Sequence, residues 1–270
     1  MKAAFKSRFV ALCGLLLLQS SCSQVAITGR KQLNLVPDAL MHSMSFQSYN
    51  EFLSQNKLSS DAGQTRMVKD VGRRIQTAVE QYCAQNNLSS RLKGYEWEFN
   101  LVEDSSVNAW AMPGGKVVVH TGLLPVAQTE GGLAVVMGHE IAHAIARHGA
   151  ERMTQGLIVE LGGMALSQAL AKSPEQTKNL FMRSYGIGTE VGVLLPYSRV
   201  HESEADRMGL IFMAMAGYNP NEAVAFWERM AAAKQGPQPP EILSTHPADA
   251  TRIRNIKKLI PEAMQYYRRP

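Results

Sequence analysis

The sequence predicts a mostly helical α+β fold, in which many helices surround a small β-sheet within one domain. Apolar residues recur at spacings of three and four along most of the chain, as they do on the buried face of a helix. The two runs that alternate like strands both lie between residues 95 and 120. A chain of 270 residues with 45% hydrophobic content is long enough for one sizeable core.

Composition excludes several classes of protein. Three cysteines are too few for a disulfide scaffold, and 19% charged residues beside 45% hydrophobic ones exclude a disordered chain. The formal charge is +5, to which Lys2, Lys6 and Arg8 contribute three. The rest of the chain has no strong basic footprint, so we expect no nucleic-acid partner.

Residues 1–21 have the order of a bacterial lipoprotein signal peptide. A short positive segment precedes an apolar stretch, Phe9 to Leu18, that is too short to span a bilayer. Gln19-Ser20-Ser21-Cys22 then resembles a lipobox, in which Cys22 is diacylated and becomes the mature N-terminus. Gln19 stands where leucine is usual, which leaves cleavage by ordinary signal peptidase as an alternative. Because Ser23 resembles the outer-membrane sorting signal, we expect a periplasmic protein anchored by lipid to the outer membrane.

The remaining elements are predicted in chain order. Residues 22–37 are polar and are interpreted as a tether before a folded domain at 38–260, which is followed by a C-terminal tail at 261–270. The helices and strands expected in the first half are Asp38 to Gln55 and Asp61 to Gln85 (helices), and Tyr95 to Val102 and Lys116 to His120 (strands). Pro113-Gly114-Gly115 predicts a turn before the second strand. After Glu130 the chain is predominantly helical, with breaks at 217–220 and 235–240.

The strongest chemical pattern is His139-Glu140-Ile141-Ala142-His143, within an apolar helical run. Helical spacing places His139 and His143 on one face, a turn apart, where both imidazoles can bind one metal ion. Glu140 lies beside them without being a ligand and is placed to take a proton from metal-bound water. The alternative is a pair of buried histidines with ordinary hydrogen bonds.

A third ligand is available in the segment His201-Glu202-Ser203-Glu204-Ala205-Asp206, which opens another predicted helix. Glu202 can complete a His₂Glu zinc site that keeps one open position for water. Asp206, one turn along, is suited to accept the free N–H of a ligand histidine. Glu204 is expected to be a solvated surface charge. The alternative is a helix N-terminus that favours carboxylates without any metal. With both histidines upstream, we expect one Zn²⁺ per chain.

These patterns resemble the zinc metallopeptidase family of CAAX prenyl endopeptidases and HtpX-type heat-shock proteases, and within it the periplasmic lipoprotein members. The resemblance covers residues 22 to 258. It rests also on the segments 28–33 (TGRKQL), 108–115 (NAWAMPGG), 121–124 (TGLL), 147–152 (RHGAER), 197–199 (YSR) and 244–247 (STHP) with Arg252. Unlike the integral-membrane relatives, the chain is expected to have no transmembrane helices, and unlike some periplasmic relatives it is expected to have no C-terminal helical-repeat domain.

The resemblance implies a zincin-type metalloprotease domain with zinc ligands at His139, His143 and Glu202 and with Glu140 as the general base. It also implies an edge strand that pairs with an extended substrate. The residues expected to bind substrate in this way are Asn108, Ala109, Trp110 and Ala111. An unpaired strand edge offers N–H and C=O groups to a peptide without demanding particular side chains. The alternative is an ordinary hairpin arm.

Three further residues receive predicted roles. His246 follows a Pro/Gly-rich loop and has two possible roles. It could donate to the developing oxyanion, or it could occupy the open zinc position and inhibit the enzyme. Arg252 could assist on the oxyanion side or could be a surface arginine. His148 follows the zinc helix and is expected to cap it.

The sequence thus predicts a zinc endopeptidase of the bacterial cell envelope. Family resemblance suggests misfolded or stalled envelope proteins as substrates and the envelope assembly machinery as a possible partner. One alternative is a periplasmic chaperone or assembly factor with structural zinc, but such a site has no use for a base at Glu140. Another alternative is a zinc hydrolase that acts on a non-peptide ester or amide.

Overall fold

The computed structural model describes residues 22–162, 164–187, 198–233, 241–244, 246 and 250–267. The predicted signal peptide, the side chain of Cys22 and the predicted break at 235–240 lie outside the described residues. Within the described part of the chain, no helix combines the length and apolar character needed to cross a membrane.

An antiparallel hairpin stands where the sequence predicts a tether. Its strands are β1 (Cys22–Gln24) and β2 (Lys31–Leu33). Val25, Ala26 and Val36 are buried in the protein core, although the segment as a whole is polar. The tether prediction is therefore wrong for this segment, because a few apolar side chains anchor it to the rest of the fold.

The two N-terminal helices begin and end where their periodicity predicts, to within one residue. They are α1 (Asp38–Gln55) and α2 (Ala62–Gln85). Asp61 caps α2, since its side chain accepts a hydrogen bond from the backbone N–H of Gln64 at 2.9 Å.

Three strands form the main sheet: β3 (Glu98–Val102), β4 (Ala109–Met112) and β5 (Lys116–His120). The order is β3-β5-β4, with β5 parallel to β3 and antiparallel to β4. The β4–β5 turn requires glycine, because Gly114 and Gly115 have φ values of +81° and +85°. β3 begins three residues later than predicted, since the backbone N–H of Tyr95 instead closes a turn onto the carbonyl of Leu92.

The described chain after β5 is mostly helical, as predicted for the part beyond Glu130. Its helices are α3 (Leu124–Ala127), α4 (Glu130–Ala146), α5 (His148–Glu160), α6 (Leu166–Lys172), α7 (Pro174–Ser184), α8 (Arg199–Met215), α9 (Glu222–Ala233) and α10 (Ala250–Met264). The predicted tail boundary at residue 261 is wrong, because Pro261 lies inside α10 and Ala263 is buried.

The sheet divides the interior into two apolar clusters. Ala109 and Ala111 of β4 face the cluster that contains α2, α4 and α8. Trp110 and Met112 face the opposite cluster, which contains α1, α5 and α7. This alternation follows from the twofold period of a strand, and it places β4 directly beside α4.

Helices α4 and α8 meet at backbone distance through two glycines. A Cβ atom built on Gly209 would lie 2.9 Å from the backbone nitrogen of His139, and one on Gly138 would lie 3.0 Å from the carbonyl oxygen of Gly209. A side chain at either position would push the helices apart. The glycine pair therefore brings the His139–His143 face of α4 close to the acidic first turns of α8.

We expect Gly209→Ala to lower the free energy of unfolding by about 1–3 kcal/mol, because the new methyl group has no space against the α4 backbone. Zinc affinity should fall in the same variant, since the two helices separate at the histidines. Chemical denaturation and zinc titration measure both effects. The matched control is Gly63→Ala, near the exposed start of α2, where a Cβ atom would meet only the exposed Asp61 Oδ1, at 3.3 Å, so its effect should be smaller than that of Gly209→Ala. If Gly209→Ala and Gly63→Ala changed the free energy of unfolding and the zinc affinity equally, the close contact between α4 and α8 would be contradicted.

Candidate metal centre

The two predicted histidine ligands lie on the buried face of α4. Thr129 caps this helix by accepting a hydrogen bond from the backbone N–H of Gly132 at 2.9 Å. His139 and His143 are each only 2% exposed, and their Nε2 atoms are 3.1 Å apart. The spacing of four residues thus produces the predicted convergence of the two imidazoles.

Two further donors converge on the same point. Glu202 lies in the first turn of α8, which Ser198 caps, and its Oε1 atom is 3.3 Å from His143 Nε2. His246 Nδ1 lies 3.2 Å from His139 Nε2 and 2.8 Å from Glu202 Oε1. All four donor atoms lie within 4.8 Å of one another.

This donor set fits zinc. Tetrahedral zinc with ligand bonds of about 2.0–2.1 Å separates neighbouring donor atoms by about 3.3 Å. The separations between donors in direct contact run from 2.8 Å, between His246 and Glu202, to 3.6 Å, between His139 Nε2 and Glu202 Oε2, and the whole set lies within 4.8 Å. Imidazole nitrogens with a single carboxylate are also the ligands of catalytic zinc sites. His139, His143 and Glu202 would hold the ion, and His246 is placed as a fourth donor.

Glu140 lies beside the donors without joining them. Its Oε1 atom is buried, accepts no hydrogen bond from the described residues, and lies 3.5 Å from His246 Nε2. Burial raises the pKa of this carboxyl group. A buried carboxylate with an unused oxygen next to a metal site has the form of a general base.

Asp206 and Arg252 support the His139 side. Asp206 Oδ1 lies 3.0 Å from His139 Nδ1, as predicted for an acceptor of the free N–H. Arg252, on α10, donates to Asp206 at 2.7 and 3.0 Å, contacts Glu202 at 2.9 Å, and stacks 3.5 Å above the ring of Trp227. With 7% exposure, Arg252 is not a surface residue.

The positive charges beside Glu202 and Asp206 keep these two acids ionised. Burial would raise the pKa of Glu202, but His246 and Arg252 beside it hold that pKa well below its usual value. Burial acts in the same direction on Asp206, and the Arg252 guanidinium outweighs it, so the pKa of Asp206 is also lowered. Arg252 therefore compensates the charge of two buried carboxylates.

Two side chains that were predicted to be a helix cap and a surface charge instead lie next to the metal centre. The ring of His148 does not cap the helix end, because its Nδ1 atom lies 3.0 Å from Nδ1 of His143. Glu204 is not a solvated charge: it is 6% exposed, and its Oε2 atom lies 3.0 Å from His148 Nε2. Helical periodicity does not predict these contacts, because α4 ends at Ala146. Arg147 has a left-handed backbone conformation, with φ of +62°, so α5 runs in a different direction from α4.

The predicted substrate strand lies at the edge of the sheet. Among the described strands, β4 pairs with β5 on one side only. The carbonyl of Asn108 accepts from the backbone N–H of His120 at 3.1 Å, so by antiparallel alternation the backbone groups of Ala109 and Ala111 point away from β5. Asn108 Oδ1 accepts the N–H of Ala109 at 2.9 Å, and all four residues of β4 are buried, with Ala109 3% and Ala111 5% exposed. The Trp110 side chain is buried and faces the other cluster.

We expect Asp206→Asn to weaken zinc binding about 10–100-fold, because the hydrogen bond that orients His139 loses its charged acceptor. Competition with a chelator of known affinity measures the change. Asp70→Asn is the matched control. Asp70 lies on α2, outside the donor set, and forms an ion pair with its neighbour Arg73. An unchanged zinc affinity in Asp206→Asn would contradict an orienting role.

Comparison with known proteins agrees with this geometry. Residues 70–260 match the family described as Peptidase family M48. The mitochondrial metalloendopeptidase OMA1 of Schizosaccharomyces pombe is 35% identical over 243 residues, which are 88% of this chain and 66% of that protein. The OMA1 enzyme of Saccharomyces cerevisiae is 36% identical over 72% of this chain and 54% of its own length. The beta-barrel assembly-enhancing protease of Escherichia coli is 31% identical over 64% of this chain and 37% of its own length.

These relatives are longer proteins, of which the chain spans about two thirds or less. The family match itself includes every predicted zinc ligand and extends over more than half of the sequence. The chain therefore belongs to peptidase family M48, a family of zinc metallopeptidases.

Proposed function

We propose that this protein is a zinc endopeptidase of the bacterial cell envelope that cleaves misfolded or stalled envelope proteins. The observation that carries the proposal is the position of Glu140, buried and with an unused oxygen beside three convergent zinc donors. A structural zinc site has no use for such a carboxylate, so the geometry favours hydrolysis over a chaperone with structural metal.

The envelope location is supported from two sides. Residues 1–22 have the order of a lipoprotein signal and lipobox, which suggests lipid attachment at Cys22 and an outer-membrane anchor. The Escherichia coli relative, a beta-barrel assembly-enhancing protease, also ties a related enzyme to β-barrel assembly. The mitochondrial relatives support the peptidase but not this location. We keep the assembly machinery as a proposed partner, and the lipoprotein branch as the proposed position within the family.

The proposed chemistry divides among the described side chains. His139, His143 and Glu202 would hold the zinc ion, which would supply Lewis-acid activation of water and of the scissile carbonyl. Glu140 accepts the proton of the attacking water and delivers it to the leaving amine. Burial raises the pKa of Glu140, which brings its proton affinity closer to neutral pH and suits both transfers.

The edge strand supplies binding without side-chain selectivity. In this proposal the carbonyl of Ala109 and the N–H and carbonyl of Ala111, which point away from β5, pair with an extended peptide, while Asn108 Oδ1 holds the Ala109 N–H. A folded protein keeps its own backbone paired, so this mode of binding selects unfolded segments. Such selection matches a substrate class of misfolded or stalled proteins.

Of the two roles open to His246, we propose inhibition rather than assistance to catalysis. Its Nδ1 atom lies 3.2 Å from His139 Nε2 and 2.8 Å from Glu202 Oε1, the spacing expected between ligands of one metal ion. Its Nε2 atom lies beside Glu140. A fourth protein donor closes a catalytic zinc site. We therefore propose that His246 occupies the open position in the resting protein and must leave it before substrate enters.

Glu140→Gln should reduce the cleavage of unfolded casein at least about 100-fold, because the variant cannot accept the water proton. Zinc content, measured by mass spectrometry or a colorimetric assay, should stay at one ion per chain. Glu80→Gln, an exposed change of the same chemistry on α2, should leave cleavage unchanged. Zinc-loaded wild-type protein with no cleavage at all would favour the binding-factor alternative.

His246→Ala should raise the rate of casein cleavage at unchanged zinc content, because the fourth zinc position becomes available to water. The control His42→Ala, on α1, removes a half-buried histidine outside the donor set. A lower rate in His246→Ala would instead identify His246 as a donor to the oxyanion and would contradict the inhibitory role.

A further inference from the structure

We propose that His148 and Glu204 connect the N-terminal hairpin to the metal site, so that Thr28 and Arg30 act as positioning residues for the ligand His143. The inference rests on the zinc site of the proposed function and adds a role for residues that precede the family match at 70–260. In this inference the hairpin, which the sequence predicts to be a tether, orients a ligand of the metal centre.

The direction of each hydrogen bond follows from the ligand geometry. His143 Nε2 faces the other donors at 3.1 and 3.3 Å, so zinc binding leaves its proton on Nδ1. That proton points at His148 Nδ1, 3.0 Å away, which must then be the acceptor. His148 consequently carries its proton on Nε2, where Glu204 Oε2 accepts it at 3.0 Å. One protonation pattern satisfies all three side chains.

The hairpin holds the far end of this chain of hydrogen bonds. Thr28 donates to Glu204 Oε1 at 2.7 Å, and the Nε atom of Arg30 contacts both carboxylate oxygens at 3.0 Å. These donors leave Glu204 one orientation, which in turn orients His148. The hairpin is fixed independently, because Gln32 donates to the carbonyl of Ala146 at 3.0 Å at the end of α4.

Arg30 also joins a second carboxylate to the same structure. Its two terminal nitrogens contact Glu151 at 2.7 and 3.0 Å, and Glu151 Oε2 lies 3.0 Å from His201 Nε2. Burial opposes ionisation of Glu151, but His201 and Arg30 lower its pKa to about 2. The rings of His148 and His201 stack at 4.3 Å. A bidentate arginine between two buried acids is a specific geometric constraint rather than a general attraction.

The arrangement extends a known pattern by one residue. Ligand histidines usually donate their second N–H to a carboxylate or carbonyl, and loss of that partner costs about 10–100-fold in metal affinity. Here Asp206 serves His139 directly, whereas Glu204 serves His143 through the ring of His148. The intervening ring lets a hairpin far away in sequence act on the metal ligand.

The test compares two substitutions of His148 in the full chain. His148→Leu removes the acceptor for His143, and zinc affinity should fall about 10–100-fold. His148→Asn restores an acceptor oxygen near the Nδ1 position and should recover part of that loss. The visible absorption bands of Co²⁺-substituted protein should shift more in the leucine variant than in the asparagine variant. A purely structural role predicts instead that zinc affinity falls in step with the free energy of unfolding in both variants, and that the Co²⁺ bands of the folded protein do not move.

The hairpin is tested by Arg30→Met and Thr28→Val, with Lys31→Met as the matched control on an exposed neighbouring position. Arg30→Met and Thr28→Val should each lower zinc affinity several-fold and shift the Co²⁺ spectrum, and Lys31→Met should do neither. These variants lie outside the apolar core, so they keep the test valid if the His148 variants fold poorly.

Outcomes separate the inference from the proposed function. Suppose that the wild-type protein binds zinc and cleaves casein, and that Arg30→Met and Thr28→Val match it in zinc affinity and Co²⁺ spectrum. That result would overturn the role of the hairpin and leave the proposed function intact. Wild-type protein that binds no zinc would overturn the zinc site and this inference together. The expected result is a graded loss of zinc affinity, largest in His148→Leu and smaller in the hairpin variants.

Discussion

The backbone contact between α4 and α8 at Gly138 and Gly209 is the constraint on which the metal centre depends. Side chains normally hold packed helices 8–10 Å apart. Here the Cβ position of Gly209 would lie only 2.9 Å from the His139 backbone, so the helices approach more closely than any larger residue allows. This approach lets the carboxylate of Glu202, at the start of α8, reach imidazoles in the second half of α4.

Three acids at the start of α8 then serve the two ligand histidines in three different ways. Glu202 shares the metal position, Asp206 binds the outer nitrogen of His139, and Glu204 reaches His143 through His148. Glu202 and Asp206, four residues apart, lie on one face of α8, whereas Glu204 leaves the helix on another face. One acidic segment can therefore complete a ligand set and orient both histidines.

Burying so much negative charge requires compensation, and both ends of the described chain provide it. Unpaired buried carboxylates would protonate or destabilise the fold. Arg252, on the last helix, contacts Glu202 and Asp206, while Arg30, on the first hairpin, contacts Glu204 and Glu151. Each arginine reaches its acids across more than 40 residues of sequence. The metal centre thus depends on the closure of the whole fold.

The sequence by itself determined the features that arise within one element. Side-chain periodicity predicts the bounds of α1 and β5 and the helical character of the chain after Glu130. It also predicts that His139 converges with His143 and that Glu202 and Asp206 share a helix face. Tertiary structure alone decided the roles of His148, Glu204 and Arg30, and whether Arg252 was buried. The left-handed residue Arg147 breaks the periodicity between His143 and His148, and Arg30 meets Glu204 from 174 residues away. Local spacing predicts which residues share a helix face, but the partner of a buried charge depends on which distant elements pack against that face.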